Sequence, residues 1–223
     1  MKKLPAFLLI ALFISLMANA QDDKAQLSLN ISKVYNDNMD QLKNYVWKRT
    51  TRFYMNGAVA LTTYADVSMT PDGKLKNTIT KAESSVKKEP GLRGDEQKKK
   101  EDEMVQYFAD ALEKSIPYVY MSKGSLVDFF EKATITTSGS SIMATVDNFY
   151  QQGDHIELTV DKNTLQYKTQ SYKTTMGKDP ISGTVTYKQF ENGLNTVSTI
   201  DMDLPAKTMK VGATTSDFAK KMQ

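Results

Sequence analysis

The sequence predicts an α+β protein in which helices cover one face of an antiparallel β-sheet. Two observations predict it. Apolar residues recur at helical spacing in two separate segments, and most of the remaining chain alternates apolar and polar residues between hairpin turns. A parallel nucleotide-binding sheet would instead show strands that alternate regularly with helices and a glycine-rich first turn, and the sequence shows neither.

Residues 1–20 have the pattern of a secretory signal peptide. Two lysines precede an uncharged apolar run that ends in Ala18-Asn19-Ala20, the small-x-small pattern of a cleavage site. We therefore expect export, cleavage before Gln21 and a location in the periplasm. The apolar run is shorter than the roughly 20 residues that cross a bilayer, and no later segment approaches that length, so we expect no transmembrane span in the mature chain.

The composition agrees with an exported domain whose stability comes from its hydrophobic core. Two of the 29 basic residues would leave with the signal peptide, which would lower the formal net charge from +3 to +1. The chain has no cysteine, so we expect neither disulfides nor lipidation at the cleavage site. About 200 residues suffice for one domain. We predict a single domain over residues 21–223, with a charged insertion at about 83–103.

The N-terminal elements follow from periodicity and turn signals. From Leu27 to Tyr45, apolar residues recur every three to five positions, which predicts an amphipathic helix. From Val46 the period changes to two, and three strands follow, joined by turns at Asn56-Gly57 and at 71–73. One face of the second strand is expected to point inward; it carries Val59, Leu61, Thr63, Ala65, Val67 and Met69.

The insertion separates these strands from a second set. Its first half is predicted to be a solvated linker, and its second half begins a helix that Pro117 should bend or end. A shorter amphipathic segment follows at 126–130. Alternation and turn residues then predict strands at 142–150, 155–161, 165–172, 181–190, 194–203 and 208–214.

The only histidine, His155, lies at the start of one of these strands. Ile156, Leu158 and Val160 form the apolar face of that strand, so His155 and Glu157 should face the solvent. One alternative is that His155 is a general base oriented by Glu157. We favour an exposed residue beside a turn, because no nucleophile or pocket accompanies the ring.

The sequence predicts no catalytic residue, no metal site and no cofactor. With one histidine and no cysteine, only clustered carboxylates would remain as metal ligands. The segment beginning at Asp161 lacks the next oxygen ligand and the glycine of a calcium loop, so we interpret it as an Asx turn. Two Ser-x-x-Lys matches, at 84–87 and 85–88, lie in the charged linker without the other motifs of serine enzymes.

The basic residues between 87 and 100 are diluted by acidic ones and have no aromatic residues among them. We therefore expect no binding of nucleic acid, which uses stacked aromatic side chains on a basic surface. Docking on anionic lipid head groups is an alternative, but a solvated flank is the interpretation that we favour.

Three longer patterns are informative together: "VSMTPDGKLKNTI", "HIELTVDKNTLQYKTQSY" and "GTVTYKQFENGLNTVSTIDMDLPAKTMKV". With the order of elements, they resemble the LolA/LolB-like outer-membrane lipoprotein carrier superfamily. The chain is also similar to uncharacterised secreted bacterial proteins that begin near "LKNYVWKRTT". The chain departs from the carriers at Pro71, which no arginine precedes, and in the charged insertion, which has no counterpart in them.

The resemblance to the carriers implies an incurved antiparallel sheet, a half-barrel, covered on its concave side by helices. It also implies a non-enzymatic protein that binds lipid or lipoprotein acyl chains in an apolar cavity. The residues that we expect to line the cavity are Trp47, Phe53, Met55, Val59, Leu61, Val67, Met69, Ile156, Leu158 and Val160. For Trp47, anchoring of the N-terminal helix in a closed core is the alternative to a place at the cavity mouth.

The inward-facing apolar residues and those of the helices are roughly balanced in number, so the sequence also permits a filled core. The alternative function is therefore an envelope structural or interaction protein that recognises another envelope protein through a sheet edge or the charged insertion. A third hypothesis, an enzyme that uses only carboxylates and lysines, would require two acids facing one cleft.

Overall fold

The computed structural model describes residues 6–85, 92–190 and 193–221, and the side chains of 24–85, 96, 98–100, 102–190 and 193–221. The helices are α1 (Ala6–Leu42), α2 (Leu92–Val119) and α3 (Lys123–Lys132), and the strands are β1 (Tyr45–Met55), β2 (Ala58–Met69), β3 (Leu75–Ser84), β4 (Thr134–Ser138), β5 (Ser141–Asp147), β6 (His155–Asp161), β7 (Tyr167–Met176), β8 (Asp179–Gln189), β9 (Asn195–Leu204) and β10 (Met209–Lys220).

All ten strands form one antiparallel sheet in the order β3-β2-β1-β10-β9-β8-β7-β6-β5-β4. Strand β1 pairs with β10, so that Met55 lies opposite Met209 and Tyr45 opposite Lys220. The two ends of the sheet, β3 and β4, do not pair with each other, and the sheet is not closed. The predicted α+β class, a curved antiparallel sheet covered by helices, is confirmed.

The larger core lies between the helices and the second half of the sheet. Burial alternates along β5 and β6, where every second side chain is inaccessible. Helix α3 covers β5, and α2 covers β7 and β8. The sequence of α3 explains its role: Ser122 caps its first turn, and its buried residues Leu126, Phe129 and Phe130 share one face.

A smaller core joins the last turn of α1 to β1 and β2. Trp47 is only 4% exposed and packs with Leu42, Val67 and Met69. Its ring stacks on Phe218 of β10 at a centroid distance of 5.3 Å. The Asn38 side chain accepts a hydrogen bond from the backbone N–H of Asn195 at 2.8 Å, and this bond holds α1 against the start of β9.

A buried carboxylate holds the loop between β5 and β6 against α2. Asp154 is 2% exposed, and it accepts hydrogen bonds from the backbone N–H groups of Phe149, Tyr150 and Gln151 at 2.6–3.1 Å. It also accepts one from the Tyr118 hydroxyl at 2.9 Å. Burial, with a smaller contribution from Asp154, raises the pKa of Tyr118 well above its ordinary value. The loop and the end of α2 are thereby joined.

Tyr172 and Gly183 make a close cross-strand contact between β7 and β8. They are directly opposite each other, and a Cβ atom at position 183 would lie 2.4 Å from the Tyr172 ring. The ring also stacks on Tyr118 at 5.0 Å. Only glycine leaves room for this buried aromatic pair.

The predicted elements are found with shifted ends. Strand β7 begins two residues later than predicted, and β10 continues six residues beyond the predicted 214. Pro117 lies inside α2, which ends two residues after it. Strand β4 was not predicted. Residues 86–91 of the predicted linker, which include the lysines of both Ser-x-x-Lys matches, and Asn192, between two predicted strands, lie outside the described residues.

Candidate functional site

A cavity of about 400 Å³ lies between α2 and the half of the sheet that contains β1, β2 and β10. We call it the α2 chamber. Its lining is apolar except for Ser84, and it consists of Phe53, Met55, Ala60, Leu61, Ser84, Met104, Val105, Phe108, Ala109, Leu112 and Met209. Such a lining offers contact area to an apolar group, and it contains no acid, base or metal ligand among the side chains that line it.

Strand registers bring the sheet residues of the chamber together. Phe53 pairs with Leu61 on β2, and Met55 pairs with Met209 on β10. Paired residues of antiparallel strands share a face, so these side chains all point toward the helix. Phe108 of α2 meets Phe53 edge to face at a centroid distance of 5.1 Å. One aromatic pair of the lining therefore connects the sheet to α2.

Helix α2 has an exposed apolar stripe beside the face that packs on the sheet. Val105, Ala109, Leu112 and Ile116 follow one another at intervals of four, three and four residues, which places them along one line of a helix. Val105 is 62% exposed, and Leu112 and Ile116 are exposed as well. Three of the four line the α2 chamber, so the stripe forms its rim.

Polar contacts fix α2 above the sheet next to the chamber. The Tyr107 hydroxyl donates a hydrogen bond to Asp179 at 3.0 Å, and the Lys207 ammonium lies 5.5 Å from the centre of the Tyr107 ring. Burial, and then the Asp179 carboxylate, raise the pKa of Tyr107 above its ordinary value. The hydrogen bond to Asp179 of β8 therefore holds α2, and with it one wall of the chamber, in place.

The concave face of β2 and β3 is partly uncovered next to the chamber. Ile79 pairs with Ala65, which pairs in turn with Arg49, so the three residues share the face that the helices cover elsewhere. Ile79 is nevertheless 60% exposed. Ala65 is buried in the smaller core with Leu42 of α1, so the uncovered strip of the inner face is limited to β3, at Ile79 and Ala82.

A second, much smaller cavity of about 30 Å³ adjoins Arg49. Its lining includes Tyr35, Trp47, Tyr120 and Tyr167. The volume equals the share of one water molecule in the liquid, about 30 Å³. The Arg49 Nη2 atom donates a hydrogen bond to the Tyr120 hydroxyl at 3.0 Å, whereas Arg49 Nε and the Tyr167 hydroxyl are buried without a partner.

The structure separates the ten residues expected to line a cavity into groups. Three of them, Phe53, Met55 and Leu61, line the α2 chamber. Trp47 and Met69 border the small cavity at Arg49, and Val67 is buried beside them. The residues Ile156, Leu158 and Val160 are fully buried in the larger core, away from both cavities.

The alternation of β2 predicted Val59 on the inner face of the sheet, but Val59 lies on the opposite face. The register shifts between Phe53 and Tyr54, so that Leu61 pairs with Phe53 but Val59 pairs with Tyr54, on the other face. The extra residue in this β-bulge is Ala60, and it lines the chamber in place of Val59.

His155 lies on the polar face of β6, as the alternation predicted. Its Nδ1 atom is 2.7 Å from Asp147, the residue opposite on β5, rather than bonded to Glu157. Replacing His155 with Ala is expected to change the free energy of unfolding by no more than about 0.5 kcal/mol, because the pair is on the surface. Chemical denaturation will measure it; a loss above 1.5 kcal/mol would contradict this placement.

The Asp161 turn has the predicted Asx geometry. Its Oδ1 atom accepts hydrogen bonds from the backbone N–H groups of Asn163 and Thr164 at 2.9 and 3.0 Å. Lys168, followed by these two amides, lowers the pKa of Asp161 to about 2. Throughout the described ranges there is no group of three or more metal-ligating side chains, and none of their helices is long and apolar enough to cross a membrane.

Several solved structures are similar to this chain. They include a DUF1329 family protein from Desulfovibrio piger, with 10% identity, a TM-score of 0.42 and coverage of 90% of this chain and 93% of that one. A LolA superfamily protein from Nitrosomonas europaea has 11% identity, a TM-score of 0.43 and coverage of 84% and 92%. An outer membrane lipoprotein-sorting protein domain from Vibrio parahaemolyticus has 12% identity, a TM-score of 0.36 and coverage of 87% and 94%.

A LolA superfamily protein and an outer membrane lipoprotein-sorting protein domain are thus among the solved structures to which this chain is similar. No protein-family model and no curated protein matches the chain. With identities of 10–12% and TM-scores below 0.5, the similar structures carry no argument about what this chain binds.

Sequence reasoning missed most of the chamber lining that α2 contributes. Met104, Val105, Phe108 and Leu112 recur at helical spacing and lie in the helix that was predicted before Pro117, but that prediction included no cavity beside the helix. A signal was present, because the apolar positions of α2 cover a wider arc than one packed face needs. No sequence signal indicated that Ala60 and Met209 line the chamber, because their positions depend on the β2 bulge and on the pairing of β1 with β10.

Proposed function

We propose that this protein is a non-enzymatic binding protein that takes up the acyl chain of a lipid or lipoprotein in the α2 chamber. The chamber itself carries the proposal, because it combines a volume of about 400 Å³ with an almost wholly apolar lining. Ligand pockets in proteins have volumes of about 300–1,000 Å³ and are lined mainly by apolar side chains.

The volume limits how much of a ligand the chamber can hold. A methylene group occupies about as much space as a water molecule, about 30 Å³. The chamber of about 400 Å³ therefore accommodates roughly 13 methylene groups. This capacity is sufficient for one acyl chain of medium length.

The rim of the chamber adds a driving force. Val105 and Leu112 expose apolar surface that a bound chain would remove from water. Each buried methylene group contributes about 0.8 kcal/mol, so ten of them contribute about 8 kcal/mol before the cost of association is subtracted. After that cost is subtracted, we expect dissociation constants weaker than about 1 μM for single-chain ligands.

The test uses a variant that fills the chamber. Ala109→Trp places an indole ring into the space from the rim, on an exposed helical position where the backbone need not change. We expect the wild-type protein to bind tetradecanoate with measurable heat in isothermal titration calorimetry. The Ala109→Trp variant should bind at least tenfold more weakly, because the added ring occupies the place of several methylene groups.

Gln106→Trp is the matched control. Gln106 lies on the same helix but faces the solvent, where its side chain donates a hydrogen bond only to Asp110. This variant should bind tetradecanoate as the wild-type protein does. Equal binding by all three proteins, or no binding by the wild type, would refute the α2 chamber as an acyl-chain site.

We further propose that the protein acts after export, as one domain over residues 21–223 in the periplasm. The support is the sequence pattern of residues 1–20, with its lysines, apolar run and small-x-small end. Intact-mass measurement of the protein from an osmotic-shock fraction should give the mass of a chain that begins at Gln21. Recovery of the uncleaved mass from the cytoplasmic fraction would contradict export.

A second candidate function is an envelope interaction protein with no small ligand. The observation that favours it is the solid core under α3, where Ile156, Leu158 and Val160 are fully buried. Native mass spectrometry of the protein from its own envelope fraction separates the two functions. Bound lipid of one chain's mass supports the carrier, whereas a bound polypeptide and no lipid supports the interaction protein.

A further inference from the structure

We propose that Arg49 selects ligands whose head group is anionic, so that the chamber binds single-chain amphiphiles with a carboxylate or phosphate head. This inference rests on the proposed function of the α2 chamber. It adds the chemical class of the head group, which the apolar lining of the chamber does not specify. Arg49 on β1 and the uncovered strip at Ile79 carry the inference.

Arg49 has no counter-ion in the part of the chain that the structure describes. None of the ion pairs found there includes it, and its guanidinium hydrogen-bonds only the neutral hydroxyl of Tyr120, at 3.0 Å. Its Nε atom is buried without a partner among the described residues. A charge drawn into the interior is costly unless it is paired and hydrogen-bonded. Among the side chains that the structure describes, therefore, no anion pairs with this cation.

The position of Arg49 suits the head of a ligand whose tail fills the chamber. Arg49 and Phe53 point to the same face of β1 and are four residues apart, which corresponds to about 13 Å along a strand. The inner-face residue between them is Thr51, which pairs with Thr63 on β2. A chain that extends from the chamber toward Arg49 therefore passes over small side chains.

The uncovered strip provides a way in for the head group. Ile79 and Ala82 lie on the inner face of β3, opposite Ala65 and Thr63, and both are exposed. Ala65, which lies between Ile79 and Arg49, is buried, so a head group can approach Arg49 from this strip over the partly exposed Thr63 and Thr51. The tail then enters beside the exposed stripe of α2. The anion then hydrogen-bonds the guanidinium alongside the Tyr120 hydroxyl or in its place, and a carboxylate or phosphate can engage two nitrogens at once.

The expected selectivity follows from the strength of a charge-assisted hydrogen bond in a partly buried place. Such bonds contribute about 1.5–3 kcal/mol, which corresponds to a preference of roughly 10- to 150-fold for the anionic head. A neutral ligand with the same tail leaves the cation without an anion. It should bind through the chamber alone.

The first measurement needs no variant. The wild-type protein is titrated with two pairs of amphiphiles that share a tetradecanoyl chain: the fatty acid against its methyl ester, and the acylglycerol phosphate against the monoacylglycerol. We expect the anionic member of at least one pair to bind tenfold or more tightly. A preference in the first pair identifies a carboxylate ligand, and one in the second identifies a phosphate ligand.

The second measurement locates the preference. Arg49→Gln should bind the neutral members as the wild type does and should lose the preference, and Arg49→Lys should keep part of it. Arg52→Gln is the matched control, because Arg52 lies on the opposite face of β1, exposed and paired with Thr62. It should retain the full preference. Circular dichroism will check that each variant is folded.

Wild-type binding without any preference for the anionic member would overturn the role of Arg49 and leave the proposed function intact. A folded Arg49→Gln variant that loses neutral and anionic ligands equally would also overturn it, since Arg49 would then only hold the fold. If the wild-type protein binds none of the four amphiphiles, the proposed function itself fails.

Discussion

Replacing Trp47 with Ala is expected to lower the free energy of unfolding by about 3–5 kcal/mol, because the substitution empties the centre of the smaller core. Trp47 is almost inaccessible, and its ring stacks on Phe218. Through Leu42 and Met69 it also joins the end of α1 to β2. Urea denaturation followed by far-ultraviolet circular dichroism measures the loss, and Val46→Ala, at the exposed neighbouring position, is the control.

The fluorescence of Trp47 provides an independent check. Since the ring is buried, we expect blue emission from the ligand-free protein and no shift when a fatty acid is added. The α2 chamber has other lining residues, so this result is compatible with ligand binding there. A stability loss below about 1 kcal/mol, with red emission that turns blue on titration, would instead place Trp47 at a ligand-binding mouth.

Replacing Asp154 with Ala should cost about 3–5 kcal/mol, the second large effect that we expect. The substitution removes the acceptor of three partly buried backbone N–H groups and of the buried Tyr118 hydroxyl. For a chain of this length, such a loss lowers Tm by roughly 6–20 °C. Differential scanning calorimetry will measure the shift.

Asp147→Ala is the matched control for Asp154. Asp147 carries the same carboxyl group at the other end of the same loop, but it is exposed and bonds only the His155 ring. Its replacement should shift Tm by less than 2 °C, since surface ion pairs contribute little. Similar shifts for the two variants would show that burial of Asp154 does not hold the loop in place.

Local signals in the sequence were sufficient for much of the fold. The turn at Asn56-Gly57 has positive φ at both residues, as a two-residue hairpin turn requires, and the strands on either side follow from their alternation. The alternation of β6 likewise predicted the burial of Ile156 and the exposure of His155. In each case, the residues that determine the structure are neighbours in the chain.

Features that depend on distant partners were not predictable in this way. A single extra residue, Ala60, reverses the faces of β2 at its N-terminal end, and the composition of the strand does not show where the bulge falls. Strand β4 contains mainly threonine and has no buried alternation, because it is an edge strand. Asp154 gave only a turn signal, since its partners are backbone amides and a tyrosine 36 residues away.

In the candidate site, too, some features follow from neighbouring residues and others depend on distant parts of the chain. Phe53, Met55 and Leu61 were predicted to point inward, and they line the α2 chamber. Apolar residues that pack against a neighbour and apolar residues that border an empty space have the same composition and spacing. Only the position of α2 relative to the sheet distinguishes Val105 at the rim from Ala111 in the core.

The pairing of β1 with β10 determines when during folding the chamber can form. Met55 and Met209 are direct partners, so a chain segment of about 150 residues must be closed before the two chamber walls meet. Closing a loop of that length costs about 4.5 kcal/mol in chain entropy, and contacts so distant in sequence slow folding. A chain that is still being synthesised lacks this wall of the chamber. The α2 chamber therefore forms late, after β10 has docked on β1.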